Sequence, residues 1–271
     1  MWSSGFMNEK YEPFVKRDST RLYSKKAIIY ANSRPDYAPG AFTAFQNVAK
    51  LPRQSVVLDV GSGTGMLTRH LLHHFDTVYA LEPTQEMRKV AEKDLNDHPG
   101  FHSLNGMAED IPLPDHSVDL VTVGQAIHWF QPVAALAEFQ RVAQPNTWLL
   151  LAHIKSLDET LNKAIGEIFK DEYGCLPLDE HPPSNQVPNS FYFADGKHDT
   201  LQFPHTSEES WERFLGGISS AAYAPDRAHP RYGKFVHAVR EIFDDFSQRN
   251  LLKWKIATEI SFGLLTQPTT T

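Results

Sequence analysis

Cysteine is almost absent: the 271-residue chain has one, Cys175. A single thiol excludes an internal disulfide framework and any multi-cysteine zinc or iron–sulfur centre, and it suits a reducing compartment. Long apolar runs are missing too. The longest, such as Trp148–Ala152, fall far short of the ~18–20 residues that a bilayer span takes, so no membrane partner is expected. The opening Met-Trp-Ser-Ser-Gly-Phe has neither a basic start nor an apolar core, so no secretory signal is read and a cytoplasmic location is expected. Excess positive charge is also lacking, with 26 Lys and Arg against 33 Asp and Glu and a net charge of −7. An acidic chain without a long basic run has little to offer a phosphate backbone, so nucleic acid is not the expected partner. What is present is an ordinary globular composition, 41% apolar and 22% charged, long enough to bury a sizeable core.

Residues 1–50 are polar and aromatic-rich, with Tyr11, Tyr23, Tyr30 and Tyr37 set among charged residues. A helix or two is expected there, ending near Arg34-Pro35, because proline breaks the ladder and restrains its predecessor. The pattern then sharpens. Ser55–Val60 (SVVLDV) reads as a buried parallel strand, Thr64–Phe75 as a helix, Thr77–Leu81 as a second strand and Thr84–Leu95 as a second helix with Thr84 as N-cap. Strands follow at Phe101–Leu104, Val118–Val123 and Thr147–His153, with a helix over Pro132–Val142 carrying proline in its first turn. Strands alternating with helices argue an α/β, doubly wound parallel sheet with right-handed crossovers. Further on the rhythm changes. Helices are expected over Asp158–Tyr173, from about Ser210 and from Tyr232 to Asn250. Strands are expected at Asp199–Phe203 and Trp254–Phe262, and a proline-rich loop over Pro177–Pro188.

The chemistry concentrates in Asp59-Val60-Gly61-Ser62-Gly63-Thr64-Gly65, a glycine turn between the first strand and its helix. Glycines there let the backbone turn tightly and approach a ligand, and the helix behind offers unsatisfied N–H groups. Dinucleotide enzymes use G-x-G-x-x-G, whereas Met66 stands here where the third glycine would fall. Asp59 would repel a pyrophosphate and attract an ammonium group. Glu82 closes the second strand, 21 positions after Gly61, where an acid can accept both hydroxyls of a ribose. A ligand with a ribose, no pyrophosphate and a cationic end is called for, and S-adenosylmethionine fits all three conditions. An NAD(P) oxidoreductase is disfavoured by Met66 and Asp59.

The runs VVLDVGSGTGMLTRHL, VYALEPTQEM and GMAEDIPLPDHSVDLVTVGQAIHWF resemble a class I S-adenosylmethionine-dependent methyltransferase, and within it the small-molecule branch that includes trans-aconitate methyltransferase-like enzymes. The likeness covers about residues 20–153. It implies a Rossmann-like, mostly parallel sheet ended by antiparallel strands, with a helical cap. It also implies an N-terminal helical lid over 1–50, a cofactor-binding core over 51–155, and a C-terminal half, 156–271, that completes the sheet and caps the acceptor. By the same resemblance Asp59, Gly61, Ser62 and Gly63 line the methionine and ribose part and Glu82 takes the ribose hydroxyls. Pro83 and Met87 flank adenine, Ala108 and Glu109 lie at its amino edge, and Gln125 faces the methionine moiety. Arg34-Pro35-Asp36-Tyr37 looks like the Arg-Pro-x-Tyr element of this branch, which brings Tyr37 to the site. Relatives carry Gly-Asp-Ala where this chain has Gly106-Met107-Ala108, so the usual acidic contact to adenine is missing.

The implied activity is methyl transfer to a small organic acceptor at oxygen. The alternatives are transfer to nitrogen and a binding protein that holds the cofactor without transfer. His128 is either a general base or a packed histidine, and Trp129, Ser220 and Tyr223, with Ser219, are candidate acceptor contacts. Tyr23, Tyr30 and Tyr37 form either a lid or a face packed on the sheet. Lys25-Lys26 reads as solvated surface. The His70, His73, His74 group lacks the spacing and cysteines of a metal site, and no metal is expected.

Overall fold

The computed structural model describes residues 19–176 and 187–266; Tyr11, Pro177, Pro182 and Pro183 of the readings above lie outside them. Two short helices come first, α1 (Ser19–Tyr23) and α2 (Ala27–Ser33), then α3 (Pro39–Ala49). The alternating region follows as β1 (Val56–Val60), α4 (Met66–Leu71), β2 (Thr77–Leu81), α5 (Gln85–Leu95), β3 (Phe101–Leu104), β4 (Val118–Gly124), α6 (Pro132–Val142) and β5 (Ala143–Ser156). The remainder supplies α7 (Glu159–Ile168), β6 (Asp199–Glu209), α8 (Trp211–Ser219), α9 (Tyr232–Phe246), the two-residue β7 (Ser247–Gln248) and β8 (Leu251–Leu264).

All main strands join one sheet in the order β3-β2-β1-β4-β5-β8-β6. The first five pair in parallel, and β8 lies antiparallel between β5 and β6. The strands expected at Asp199–Phe203 and Trp254–Phe262 are both longer than their apolar cores suggested. Their ladder runs from Asp199 opposite Phe262 to Glu209 opposite Leu252, so backbone pairing carries strand structure into polar sequence. The helix expected over Thr64–Phe75 is shorter, closing at Leu71 into a turn that carries His73 and His74.

Sequence-local physics explains the core of this sheet. In β1 the run Val57, Leu58, Asp59, Val60 is wholly buried, as a parallel strand covered on both faces requires. One face is covered by α3, α4 and α5 through Phe42, Phe45, Leu67, Leu71 and Ala91. The other is covered by α6 through Ala135, Phe139 and Val142. Full burial of each such Phe or Leu stabilises by ~1.5–3 kcal/mol. Of the 1–50 stretch, α3 therefore belongs to the layered core, with Phe45 edge-on to Phe262 of β8 at 5.5 Å. A third apolar cluster joins α7, α8 and α9 through Leu161, Ile168, Phe214, Phe235, Val239 and Phe243.

Lys26 departs from the solvated reading. It is buried, and its Nζ donates to the carbonyls of Ala221 (2.5 Å) and Ala224 (2.8 Å) just beyond α8. Burial lowers its pKa to about 8, with Asp226 opposing. Its neighbour Lys25 is exposed.

Candidate active site

Open parallel sheets offer a crevice at the carboxyl ends of their strands, and here a cleft runs over the ends of β1, β2, β4 and β5. It has two communicating compartments that share Tyr30, Gly61, Gly63, Gly124 and Gln125. The compartment over β2 is lined by Glu82, Pro83, Met87, Trp129 and Tyr23. The compartment over β5 is lined by Arg34, Tyr37, Asp59, Ser156 and Trp254.

The glycine turn forms the floor. Gly61, Gly63 and Gly65 have φ of +68°, +56° and +80°, the region L-residues avoid. Their surroundings differ. A Cβ on Gly61 would come within 2.7 Å of Ala126 Cβ, and one on Gly65 within 2.7 Å of Leu95 Cδ1, whereas one on Gly63 would meet nothing within 4 Å. Gly61 and Gly65 are thus glycine for packing, and Gly63 alone of the three presents its open side to the cleft.

Glu82 ends β2 and is buried. Its Oε2 accepts from the Gly63 amide at 3.0 Å and its Oε1 from the Thr84 amide at 2.8 Å. Burial raises its pKa against these donors. Each carboxylate oxygen keeps a further lone pair, so Glu82 both fixes the turn and can accept from a ligand. Thr84 sits at the N-cap of α5, but its hydroxyl makes no capping bond.

Asp59 is fully buried at the end of β1, accepting from Thr68 Oγ1 at 2.6 Å and Thr122 Oγ1 at 3.0 Å. Burial raises its pKa to about 7 despite these bonds. It borders the β5-side compartment as a charge beneath the wall. Thr64 also lines this compartment, and its buried hydroxyl has no partner among the described residues. An orphaned buried hydroxyl costs ~1–3 kcal/mol until something bonds it. With Gly63 open and Thr64 unsatisfied, the residues present fit a nucleoside ligand with a zwitterionic tail. Thr64 was not singled out from the sequence; only its place in the turn signalled it.

The remaining residues divide between the cleft and the core. Ser62 and Tyr37 line the β5 side, and Gln125, at a positive φ of +56°, borders both compartments. Ala108 is packed in the core, and Glu109 Oε1 accepts from the Gln131 amide at the start of α6 at 2.6 Å; neither lines the cleft. Glu109 is thus engaged at the start of α6. Trp129, expected at the acceptor, lies on the β2 side with its ring edge-on to Tyr23 at 5.7 Å. His128 lines neither compartment, and burial, aided by His153, lowers its pKa to about 4, so it is neutral at pH 7. Ser220 is also buried and accepts from Arg34 Nε at 2.7 Å while donating to Gly217 O. Tyr223 packs edge-on to Phe169 at 4.6 Å, and Ser219 lines a separate surface groove with Lys26 and Tyr232. His70 is taken up by Asp36 (2.9 Å) and by stacking on Phe42. Arg34 and Trp254 were missed as site residues. Arg34 stands in the Arg-Pro-x-Tyr element, and Trp254 had only its place in a strand as a signal.

A glycine turn at the switch point between β1 and β4, an acid closing β2 and this strand order make a Rossmann-like fold with its cleft at the switch point. Comparison with known proteins agrees. Residues 58–151 match the family model described as a methyltransferase domain. An uncharacterized methyltransferase of Mycobacterium tuberculosis is 37% identical over 156 residues, 57% of this chain and 61% of the relative. Another from Schizosaccharomyces pombe is 37% identical over 132 residues, 48% and 51% of the two chains. The chain thus spans about three fifths or less of these curated relatives. A solved structure from Anaeromyxobacter dehalogenans, proposed to be a type II methyltransferase, superposes with a TM-score of 0.60 at 20% identity. That match covers 87% of this chain and 99% of the other, and it speaks for the fold. Over residues 58–151 this chain is thus similar to methyltransferase domains. Among the described residues no helix is long and apolar enough to cross a membrane.

Proposed function

We propose that the protein transfers a methyl group from S-adenosylmethionine to an oxygen of a small organic acceptor. The observation that carries this reading is the pair of compartments that share Gly63, with Glu82 lining one and Thr64, whose buried hydroxyl has no partner among the described residues, lining the other. Glu82 accepts the ribose hydroxyls, Pro83, Met87 and Trp129 enclose adenine, and Asp59, Ser62, Thr64 and Gln125 hold the methionine end. The α1–α2 pair covers the cleft as a lid through Tyr23 and Tyr30, residues 51–155 form the floor, and the elements after 156 complete the sheet and cap the acceptor. The cofactor supplies, when bound, a methyl on a positively charged sulfur that leaves as a neutral thioether.

The chain's own task is then alignment and exclusion of water, which supply ~7–11 kcal/mol when the geometry is near-attack. Among the described residues no histidine lines the cleft, and His128 is set back from it. That arrangement favours an acceptor oxygen already ionised at neutral pH, needing no general base. Calorimetry with S-adenosylhomocysteine, alongside transfer of labelled methyl from S-adenosylmethionine to a metabolite library, tests the reading. Micromolar binding with a labelled, alkali-labile product is expected. Absence of cofactor binding overturns the proposal, and binding without transfer to any acceptor leaves the chain a cofactor-binding protein.

A further inference from the structure

Beside α2 lies a second concave surface that shares no lining residue with the cleft. This groove encloses about 640 Å³ between α2, the carboxyl end of α8 and the start of α9, a volume in the range of small-molecule sites. It opens along a tight seam. A Cβ on Gly216 of α8 would stand 2.1 Å from Ser33 Oγ, so the two helices leave no space between them there. Lys26 Nζ donates to the carbonyls of Ala221 and Ala224, and Arg34 Nε donates to Ser220 Oγ. One wall of the groove is α2, with Lys25, Ile28 and Ile29, and the other is the cap, with Ser219, Arg227 and Tyr232.

The charge along this lining is unusual for the chain. Lys25, Lys26 and Arg227 stand against Glu212 and Asp226, in a protein of net charge −7. Both acids are engaged. Asp226 lies 3.9 Å from Lys25, and Glu212 accepts from Ser210 Oγ at 2.8 Å, about two helical turns from Ser219. Arg227 is exposed and has no ion-pair partner among the described residues. Lys26 is buried, and its two carbonyl bonds leave the third N–H of the ammonium without a partner among the described residues. Burial opposes that charge, and a nearby anion would favour it. Ser219 also lines the groove, and its buried hydroxyl has no partner among the described residues. Apolar surface lies beside these donors. Ile28 is 71% exposed, more than any other large hydrophobic among the described residues, and Ile29 and Ala228 share the lining with it.

We propose that this groove is a second binding site, for a small organic anion with an apolar body, and that its occupant holds α2 in its seat beside the cleft. Arg227 and Lys26 bind the anion, and Ile28 and Ile29 the body. The coupling follows from the two walls, since α2 and the cap offer their contacts together only while α2 is seated. The same helix brings Tyr30 to the lining of both compartments of the cleft. A ligand that binds one arrangement better shifts the population toward it, and the effect of two such ligands on each other is reciprocal. For its second ligand the coupling rests on the methyltransferase reading above; the groove itself does not.

The test titrates octanoate into the full chain by calorimetry, beside octyl phosphate, octylamine and acetate. Octanoate or octyl phosphate is expected to bind at least ten times more tightly than octylamine, which reverses the charge, and than acetate, which lacks the body. The better of the two names the anionic group. Arg227→Gln and Ile28→Ser, both at exposed positions, should each weaken that binding fivefold or more with the melting temperature unchanged. Gly63→Val, in the cleft, should leave it within twofold. Saturating octanoate or octyl phosphate should tighten S-adenosylhomocysteine threefold or more, and S-adenosylhomocysteine should tighten the anion by the same factor. Equal binding of octylamine, or groove variants without effect, would overturn the site, and loss of binding in Gly63→Val would move it to the cleft. Anion binding that leaves S-adenosylhomocysteine affinity unchanged would overturn the coupling. Protein that binds the anion in the groove but no S-adenosylhomocysteine at all supports the site and points instead to failure of the methyltransferase reading.

Discussion

The two compartments of the cleft are made from different kinds of sequence. The β2 side is assembled mainly between Gly61 and Trp129, where strand ends, a glycine turn and one carboxylate lie close together in the chain. The β5 side draws Arg34 from before the sheet, Asp59 from its centre, and Trp254 from its last strand, and it is braced by Ser220 and Glu209 from the cap. A site built from neighbours in sequence leaves a motif; one built by topology leaves scattered residues whose meaning appears only when β8 enters between β5 and β6. The family model follows the same division, ending at residue 151.

The largest effect expected on this contrast comes from the glycine turn. Gly63→Val should lower affinity for S-adenosylhomocysteine by at least a hundredfold, since its side chain would project into the cleft. The cost in stability should be confined to the strain of a positive φ, roughly 1–2 kcal/mol. Gly61→Val should instead lower the melting temperature further, because its Cβ meets Ala126 and Phe130. Calorimetry and thermal melting on both variants distinguish a ligand-facing glycine from a packing one; equal melting temperatures would erase the distinction.

Next comes Glu82→Ala. Charge-assisted bonds contribute ~1.5–3 kcal/mol each, so affinity should fall at least tenfold, with the Gly63 and Thr84 amides also losing their acceptor. A loss below threefold would restrict Glu82 to holding the turn.

A pH effect of comparable or smaller size is expected from Asp59. Burial raises its pKa to about 7, so the group is neutral below that pH and ionised above it. A cationic ammonium prefers the ionised form, so affinity should fall as pH drops from 7 toward 6, by at most tenfold per unit. The opposite sign applies to stability, since the folded state takes up the proton more readily than the unfolded chain. Its buried charge therefore costs stability as pH rises from about 4 through 7. Asp59→Asn should flatten the affinity profile; an unchanged slope would place the titrating group elsewhere.

The smallest effect is expected at Trp129. Trp129→Ala should weaken S-adenosylhomocysteine only three- to tenfold, in line with ~0.5–1.5 kcal/mol for an aromatic pair. A loss as large as that of Gly63→Val would make the ring a principal contact of the β2 side.

Much of the sheet was legible because parallel strands covered on both faces must be apolar, and Thr77–Leu81, Phe101–Leu104 and Pro132–Val142 coincide with their observed elements. Asp59, the glycines and Glu82 were legible because their chemistry is incompatible with the plain strand or helix around them. α3 was not, since Pro35 reads as the end of the helical stretch, although Pro39 in a first turn with Phe42 and Phe45 following signals a further helix. Lys26 was misread because charge alone suggests solvent; its carbonyl partners lie 195 and 198 residues away. Ser220 and Tyr223 were placed near the acceptor on composition, and the fold assigns them instead to Arg34 and to the cap's own core.

The insertion of β8 between β5 and β6 also sets an order of assembly. A chain emerging from the ribosome can close β1 to β5 from about a hundred consecutive residues, and local contacts of that kind form early. β6 follows but has no sheet neighbour among the described strands until β8 arrives. The N-terminal helices are synthesised first and yet wait, since Lys26 and Arg34 need carbonyls and a hydroxyl from beyond α8. The floor of the cleft is therefore complete while its cover is still loose. During synthesis the nascent domain would then pass through a stage in which the β2 side of the cleft is formed and open, while the β5 side still lacks the wall that β8 brings.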